Sequence, residues 1–192
     1  MKIVVDAMGG DNAPLSNVQG ALDANRLHGI EVVLVGKVEE VLKAVEACGE
    51  KTLPAGIEIR DAREVVEICD DPATAFKKKK DSSLTVGLTM VKNGEGDAFV
   101  SAGSTGALLA GATLLVKRIR GIRRAAMGPA IPVFGGKALL CDCGANADCT
   151  PTVAVSATAT AIAHILLVSF INQRLFIRYN YVLQNQSVRV RV

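Results

Sequence analysis

Short apolar runs that stop at glycine or aspartate, each followed by residues at helical spacing, recur as far as about residue 142 and restrict the chain to alternating strands and helices. KIVV at 2–5 ends at Asp6, a Gly9-Gly10 turn follows, and Asn12-Ala13-Pro14 opens a helix carrying Leu15, Val18, Ala21 and Leu22. EVVLV at 31–35 closes on Gly36, and Val38, Val41, Leu42 and Val45 then keep helical spacing until Gly49. Residues 57–59 give a weaker third strand. Ser82-Ser83 begins another helix through Leu84, Val86, Leu88 and Val91, which Asn93-Gly94 should end. DAFV at 97–100 reads as a short buried strand, and SAGSTG turns from it into GALLAGATLLV, an apolar helix expected to be buried on most sides. KALLCD at 137–142 supplies one more strand.

This order predicts an α/β fold in three layers, a largely parallel sheet covered on both faces. Ligands of such sheets collect beyond the carboxyl ends of the strands. DAMGGDNAP, SAGSTG and CGANADC all follow predicted strands, so the fold is expected to gather them at one edge.

Composition narrows the class. At 192 residues one core is expected, and 18 glycines against 7 Phe plus Tyr fit a soluble protein of small aliphatic side chains and tight turns. A net charge of +3, without basic clusters interleaved with aromatic residues, argues against nucleic acid. The apolar run before Asp6 is too short for a signal peptide, so a cytoplasmic protein is expected. Cys48, Cys69, Cys141, Cys143 and Cys149 form an odd set that favours free thiols over a disulfide framework.

Several strings could carry chemistry. Ser101-Ala102-Gly103-Ser104-Thr105-Gly106 puts two glycines and three hydroxyls between a strand and a helix start, where unpaired N–H groups favour an anion. The same residues also cap ordinary helices, and both readings stand. DAMGGDNAP likewise reads as a capped helix start or as part of a site; without GxGxxG it is no dinucleotide fingerprint. The run from Lys77 to Lys80 is either a solvated charge cluster or a field that draws an acidic carrier or phosphate. Cys141, Cys143, Cys149, Asp142, Asp148 and His164 lack the CxxC spacing of structural zinc, so no metal is expected. His28 and His164 have no nucleophile signature beside them.

Taken together and in this order, DAMGGDNAP, DDPATAFKKKKDSS, DAFVSAGSTGALLAGATLL and CGANADCTP resemble the phosphate acyltransferase family, the acyl-carrier-protein:phosphate acyltransferases of bacterial phosphatidic acid synthesis. The resemblance covers residues 1–151. It implies a truncated form of the fold shared by isocitrate and isopropylmalate dehydrogenases and phosphotransacetylases. It also implies a homodimer and peripheral attachment to the inner face of the membrane. The implied reaction is attack of orthophosphate on the thioester of acyl-acyl-carrier protein, giving acyl phosphate and free carrier without a cofactor or a protein nucleophile. By motif, the resemblance places near the site Asp6, Gly9, Gly10 and Asn12, then Lys80, Ser82 and Ser83, then Ser101, Gly103, Ser104, Thr105 and Gly106, and finally Asn146. No catalytic acid or base is assigned. Ser104 stands where the family usually has asparagine, and Lys77 where arginine is usual; both changes weaken anion recognition.

The character of the chain changes at Pro151. All 19 acidic residues, all 18 glycines and every lysine precede it. Residues 152–192 therefore read as a tail foreign to the family, of the kind a shifted reading frame produces. The uncharged stretch 152–171 is also long enough to span a bilayer. Two alternatives to an active acyltransferase follow: an inactive fragment of that enzyme, or a membrane-anchored binding protein.

Overall fold

The computed structural model describes residues 1–118, 125, 130–133 and 136–139. The chain divides into two units, Met1–Arg118 and Ile119–Val192. In the first, the elements run β1 (Lys2–Asp6), α1 (Leu15–His28), β2 (Glu31–Gly36), α2 (Val38–Ala47), β3 (Ile57–Asp61), α3 (Ala75–Lys78), α4 (Ser83–Lys92), β4 (Ala98–Val100) and α5 (Thr105–Gly111). A π-helical turn, Ala112–Val116, continues α5. The four strands form a parallel sheet in the order β3-β2-β1-β4.

β2 shows why its sequence is almost uninterruptedly apolar. It lies inside the sheet between β1 and β3, and both of its faces are covered. Successive side chains of a strand point to opposite faces. Val32 and Leu34 pack with Val18, Leu22, Val41 and Val45 of α1 and α2, while Val33 and Val35 pack with Met90 of α4. Each such burial is worth roughly 1.5–3 kcal/mol. The helices follow the same logic. α1 buries Val18, Ala21 and Leu22 and stops at Gly29, whose φ of 63° allows its N–H to reach the Asn25 carbonyl. α2 buries Val41, Ala44 and Val45 and carries Glu39 and Glu40 in its first turn, where the helix dipole favours negative charge. At the start of α4 the Ser82 hydroxyl accepts the N–H of Thr85. Gly87 lies against Phe99 so closely that a Cβ there would collide with the ring.

Two expectations needed correction, and one element was not anticipated: the basic run contains a short helix, α3, that buries Ala75 and Phe76. DAFV was expected to be buried, but β4 ends the four-stranded sheet, and Ala98 and Val100 are exposed. The helix after it was expected to be buried on most sides. Only Ala107 and Gly111 are, with Leu114 54% exposed, because among the described elements α5 and its π-helical turn are covered on one side only, by Leu84 and Leu88 of α4 and Ala75 of α3.

The second unit contributes β5 (Ala130–Val133) and β6 (Gly136–Leu139), an antiparallel pair. β6 corresponds to the start of the predicted KALLCD strand. β5 was missed because Pro132 removes an N–H donor and so argues against a strand. Cys141, Cys143, Cys149, Asn146, His164 and the whole stretch 152–192 lie outside the described residues. Among the described residues no helix is long and apolar enough to cross a membrane.

Candidate functional site

Parallel pairing of β1 with β4 sets Val5 opposite Val100, so the two strands release their chains side by side. Asp6, the last residue of β1, is only 3% exposed. Burying a carboxylate is costly unless it is hydrogen-bonded. Here Oδ1 accepts the Met8 N–H at 3.1 Å and Oδ2 accepts the Ser101 hydroxyl at 2.7 Å. The Ser101 Oγ in turn accepts the Gly103 N–H at 3.1 Å. One carboxylate therefore ties the turn after β1 to the turn after β4.

The two turns touch where side chains are missing. A Cβ on Gly9 would lie 2.6 Å from Asp6 Oδ2, 2.9 Å from Gly103 N and 3.0 Å from Ser101 Oγ. Gly10 adopts φ 106°, a region that favours glycine, and a Cβ there would lie 3.1 Å from Ala102 Cβ. Asn17, on the first turn of α1, closes the arrangement from behind. Its Nδ2 donates to the carbonyls of Gly9 at 2.8 Å, Asp6 at 3.1 Å and Ala7 at 3.2 Å. Asn17 was not anticipated from sequence. The only signal was an asparagine inside a helix, a residue that tends to bond nearby backbone instead.

The chemical consequence concerns donors. Because the Ser101 proton is committed to Asp6, Ser101 offers an incoming anion nothing to bind. Backbone does: among the described residues the N–H groups of Gly9, which is buried, and of Gly10 meet no protein acceptor, nor do those of Thr105 and Gly106 at the start of α5. The Ser104 hydroxyl caps that helix by accepting the Ala107 N–H at 3.4 Å and keeps its own proton free. Gly106 is backed by Pro72, 3.0 Å from where a Cβ would sit, which brings the turn before α3 against the same helix start. In that turn Asp71 accepts the Thr74 hydroxyl at 2.7 Å and the Ala73 N–H at 3.2 Å, and these bonds hold its carboxyl below the usual range.

The remaining sequence candidates separate. Asp6, Gly9, Gly10, Ser101 and Gly103 form one network, continued by Ser104, Thr105 and Gly106. Asn12 is exposed and accepts the Ser16 N–H through its carbonyl. Ser82 is fully buried at the α4 cap, where its hydroxyl lies 2.8 Å from the Lys79 carbonyl and 2.9 Å from Thr85 Oγ1. Ser83 is buried beside it, its N–H on the Glu64 carbonyl. Lys80 lines a different feature, a cleft of about 250 Å³ with Arg60, Val86, Thr89, Met90 and Glu95.

Within the lysine run, Lys79 is already committed. Its ammonium donates to Asp70 Oδ2 at 2.5 Å and to the Val65 carbonyl at 2.8 Å. The Lys79 bond and then the Glu67 N–H lower the Asp70 carboxyl from its ordinary value, while the Asp70 bond raises Lys79. Asp70 thus contributes stability above the unfolded carboxylate value of about 3.9 and loses it as pH falls through the lowered folded value. Lys79 contributes below about 10.4 and loses its share only as pH rises through its raised folded value. Urea unfolding should therefore show a constant gap between wild type and Asp70→Asn across neutral pH that closes in acid. A gap that persisted at pH 2 would show that the ion pair is not its source.

A parallel sheet covered on both faces, with glycine turns beyond its carboxyl ends and N–H groups there that meet no acceptor among the described residues, defines the chain as an α/β protein of the class whose ligands collect at that edge. The chain belongs to the fatty acid synthesis protein family, whose profile matches residues 1–163. It is similar to the phosphate acyltransferase of Caldanaerobacter subterraneus subsp. tengcongensis, 46% identical over 150 residues that make up 78% of this chain and 43% of the relative. With the phosphate acyltransferase of Clostridium kluyveri it shares 47% identity over 154 residues, 79% of this chain and 45% of the relative. With that of Desulfitobacterium hafniense it shares 48% over 151 residues, 79% and 44% respectively. The chain thus spans less than half the length of these relatives. Its fold resembles that of a phosphotransacetylase from Streptococcus pyogenes, with a TM-score of 0.57 at 22% identity over 78% of this chain and 49% of the other.

Proposed function

We propose that this chain carries the phosphate-holding part of an acyltransferase that makes acyl phosphate from acyl-acyl-carrier protein and orthophosphate for phospholipid synthesis. What carries the reading is the approach of Gly9 to Gly103 across two strand-end turns, with N–H groups after β1 and at the start of α5 that meet no acceptor among the described residues. The match to the family and to relatives named phosphate acyltransferase supports it independently.

The chemistry follows from the donors. N–H groups of Gly9, Gly10, Thr105 and Gly106 hold orthophosphate against the edge of the sheet, and the Asp6 carboxylate, turned to its own two donors, stays out of the anion's way. A phosphate oxygen attacks the thioester carbonyl; the carbon–oxygen bond forms, the tetrahedral oxyanion collapses, and the carrier thiolate leaves and takes up a proton. Fixing the phosphate turns a bimolecular encounter into a positioned attack, and no cofactor is required. The reading places the working enzyme in the cytoplasm as a homodimer, meeting its carrier and the inner membrane face peripherally, without nucleic acid.

Titrating the 192-residue chain with inorganic phosphate tests it. Phosphate at a hundred times its dissociation constant stabilises a binding protein by about 2.7 kcal/mol. A rising melting temperature with phosphate but not chloride is expected, and acyl phosphate formation from acyl-acyl-carrier protein is assayed in parallel. A melt indifferent to phosphate would defeat the proposal.

A further inference from the structure

We propose that Asn17 is a positioning residue that fixes the peptide planes of the turn after β1 and so aims the Gly10 N–H at the bound anion. The inference rests on the phosphate reading of the same site. In a trans peptide the C=O and the N–H of one unit point in opposite directions. Three such units have their carbonyls drawn to one amide, Asn17 Nδ2, at 2.8–3.2 Å. Each N–H partner must then point away from α1.

Two of the three confirm the geometry by where they go. The unit whose carbonyl is that of Asp6 sends the Ala7 N–H to the Val35 carbonyl at 2.9 Å, anchoring the turn to β2. The unit whose carbonyl is that of Ala7 sends the Met8 N–H to Asp6 Oδ1 at 3.1 Å, which orients the carboxylate that holds Ser101. The third unit joins Gly9 to Gly10. Its carbonyl makes the shortest of the three Asn17 bonds, and its N–H meets no acceptor among the described residues. Gly10 lies beside Ala102 of the opposite turn, so this donor is held at the junction of the two turns. An alanine at position 17 leaves the three carbonyls without their common donor and the Gly9-Gly10 plane free to rotate.

The test uses the full 192-residue chain labelled with ¹⁵N-glycine and titrated with inorganic phosphate. In the wild type the Gly10 and Gly106 amide signals should both move. In Asn17→Ala, phosphate should bind about tenfold more weakly, the scale of one lost charge-assisted hydrogen bond. The Gly10 signal should no longer respond, while Gly106 still does at higher phosphate. A purely structural role would weaken both responses together and would overturn the inference, as would an unchanged titration. Should Asn17→Ala fail to fold, Asn17→Ser, which keeps one donor, decides: an intermediate loss confined to Gly10 supports the inference, and a wild-type titration overturns it. No response from wild type to phosphate at all would instead remove the phosphate reading on which it stands.

Discussion

Gly9→Ala is expected to abolish the phosphate response and to lower the stability of the fold by about 2–3 kcal/mol, the usual cost of forcing a methyl into a filled space. The added Cβ would sit 2.6 Å from Asp6 Oδ2 and 2.9 Å from Gly103 N. Neither can yield cheaply. The carboxylate is held by Met8 and Ser101, and the Gly103 nitrogen is backbone. The turns would have to part, and with them the N–H groups proposed to hold the anion. Gly20→Ala is the matched control. Gly20 lies within α1 with nothing within 4 Å of where its methyl would sit, so this change should stabilise by about 0.5–1 kcal/mol through helix propensity. Calorimetry with and without phosphate measures both. Equal melting temperatures for Gly9→Ala and wild type would mean that the turns are not in contact.

The second large effect belongs to Asp6. Asp6→Ala should cost about 3 kcal/mol, because it strips the acceptor from the Ser101 hydroxyl and from the buried Met8 N–H. Asp6→Asn should cost roughly 1 kcal/mol, since an amide oxygen still receives Met8 and the amide nitrogen can donate to Ser101 Oγ. A double-mutant cycle with Ser101→Ala in urea should return a coupling of about 1.5–3 kcal/mol. Simple additivity of the two single changes would show that the 2.7 Å bond contributes nothing to stability. Phosphate binding by Asp6→Asn is informative as well. Its reversed hydrogen bond frees the Ser101 proton, so affinity should be kept, whereas a carboxylate that took part directly in binding would be missed.

Much of the first unit was legible because its signals are local. The continuous apolar run of EVVLV, helical spacing in Val38–Val45 and the Ser82 cap depend on residues within a turn or two of one another. The turn strings also declared their chemistry: glycines for close approach, hydroxyls and aspartate for backbone bonds. What went wrong was burial. An apolar run such as GALLAGATLLV announces a surface that disfavours water but not which elements are present to cover it, and among the described elements α3 and α4 cover one side only. Lys79 illustrates the same limit, since its partner Asp70 is set by the path of the loop that returns to α3.

The amino-acid sequence by itself determined the alternation of strands and helices, the glycine turns at strand ends and the family to which the chain belongs. Only the tertiary structure decided that Asp6 meets Ser101, 95 positions away, and that Asn17 gathers three carbonyls. Strand neighbours are chosen by packing of whole elements. The order β3-β2-β1-β4 puts the first and fourth strands together, and no local pattern of residues encodes that pairing.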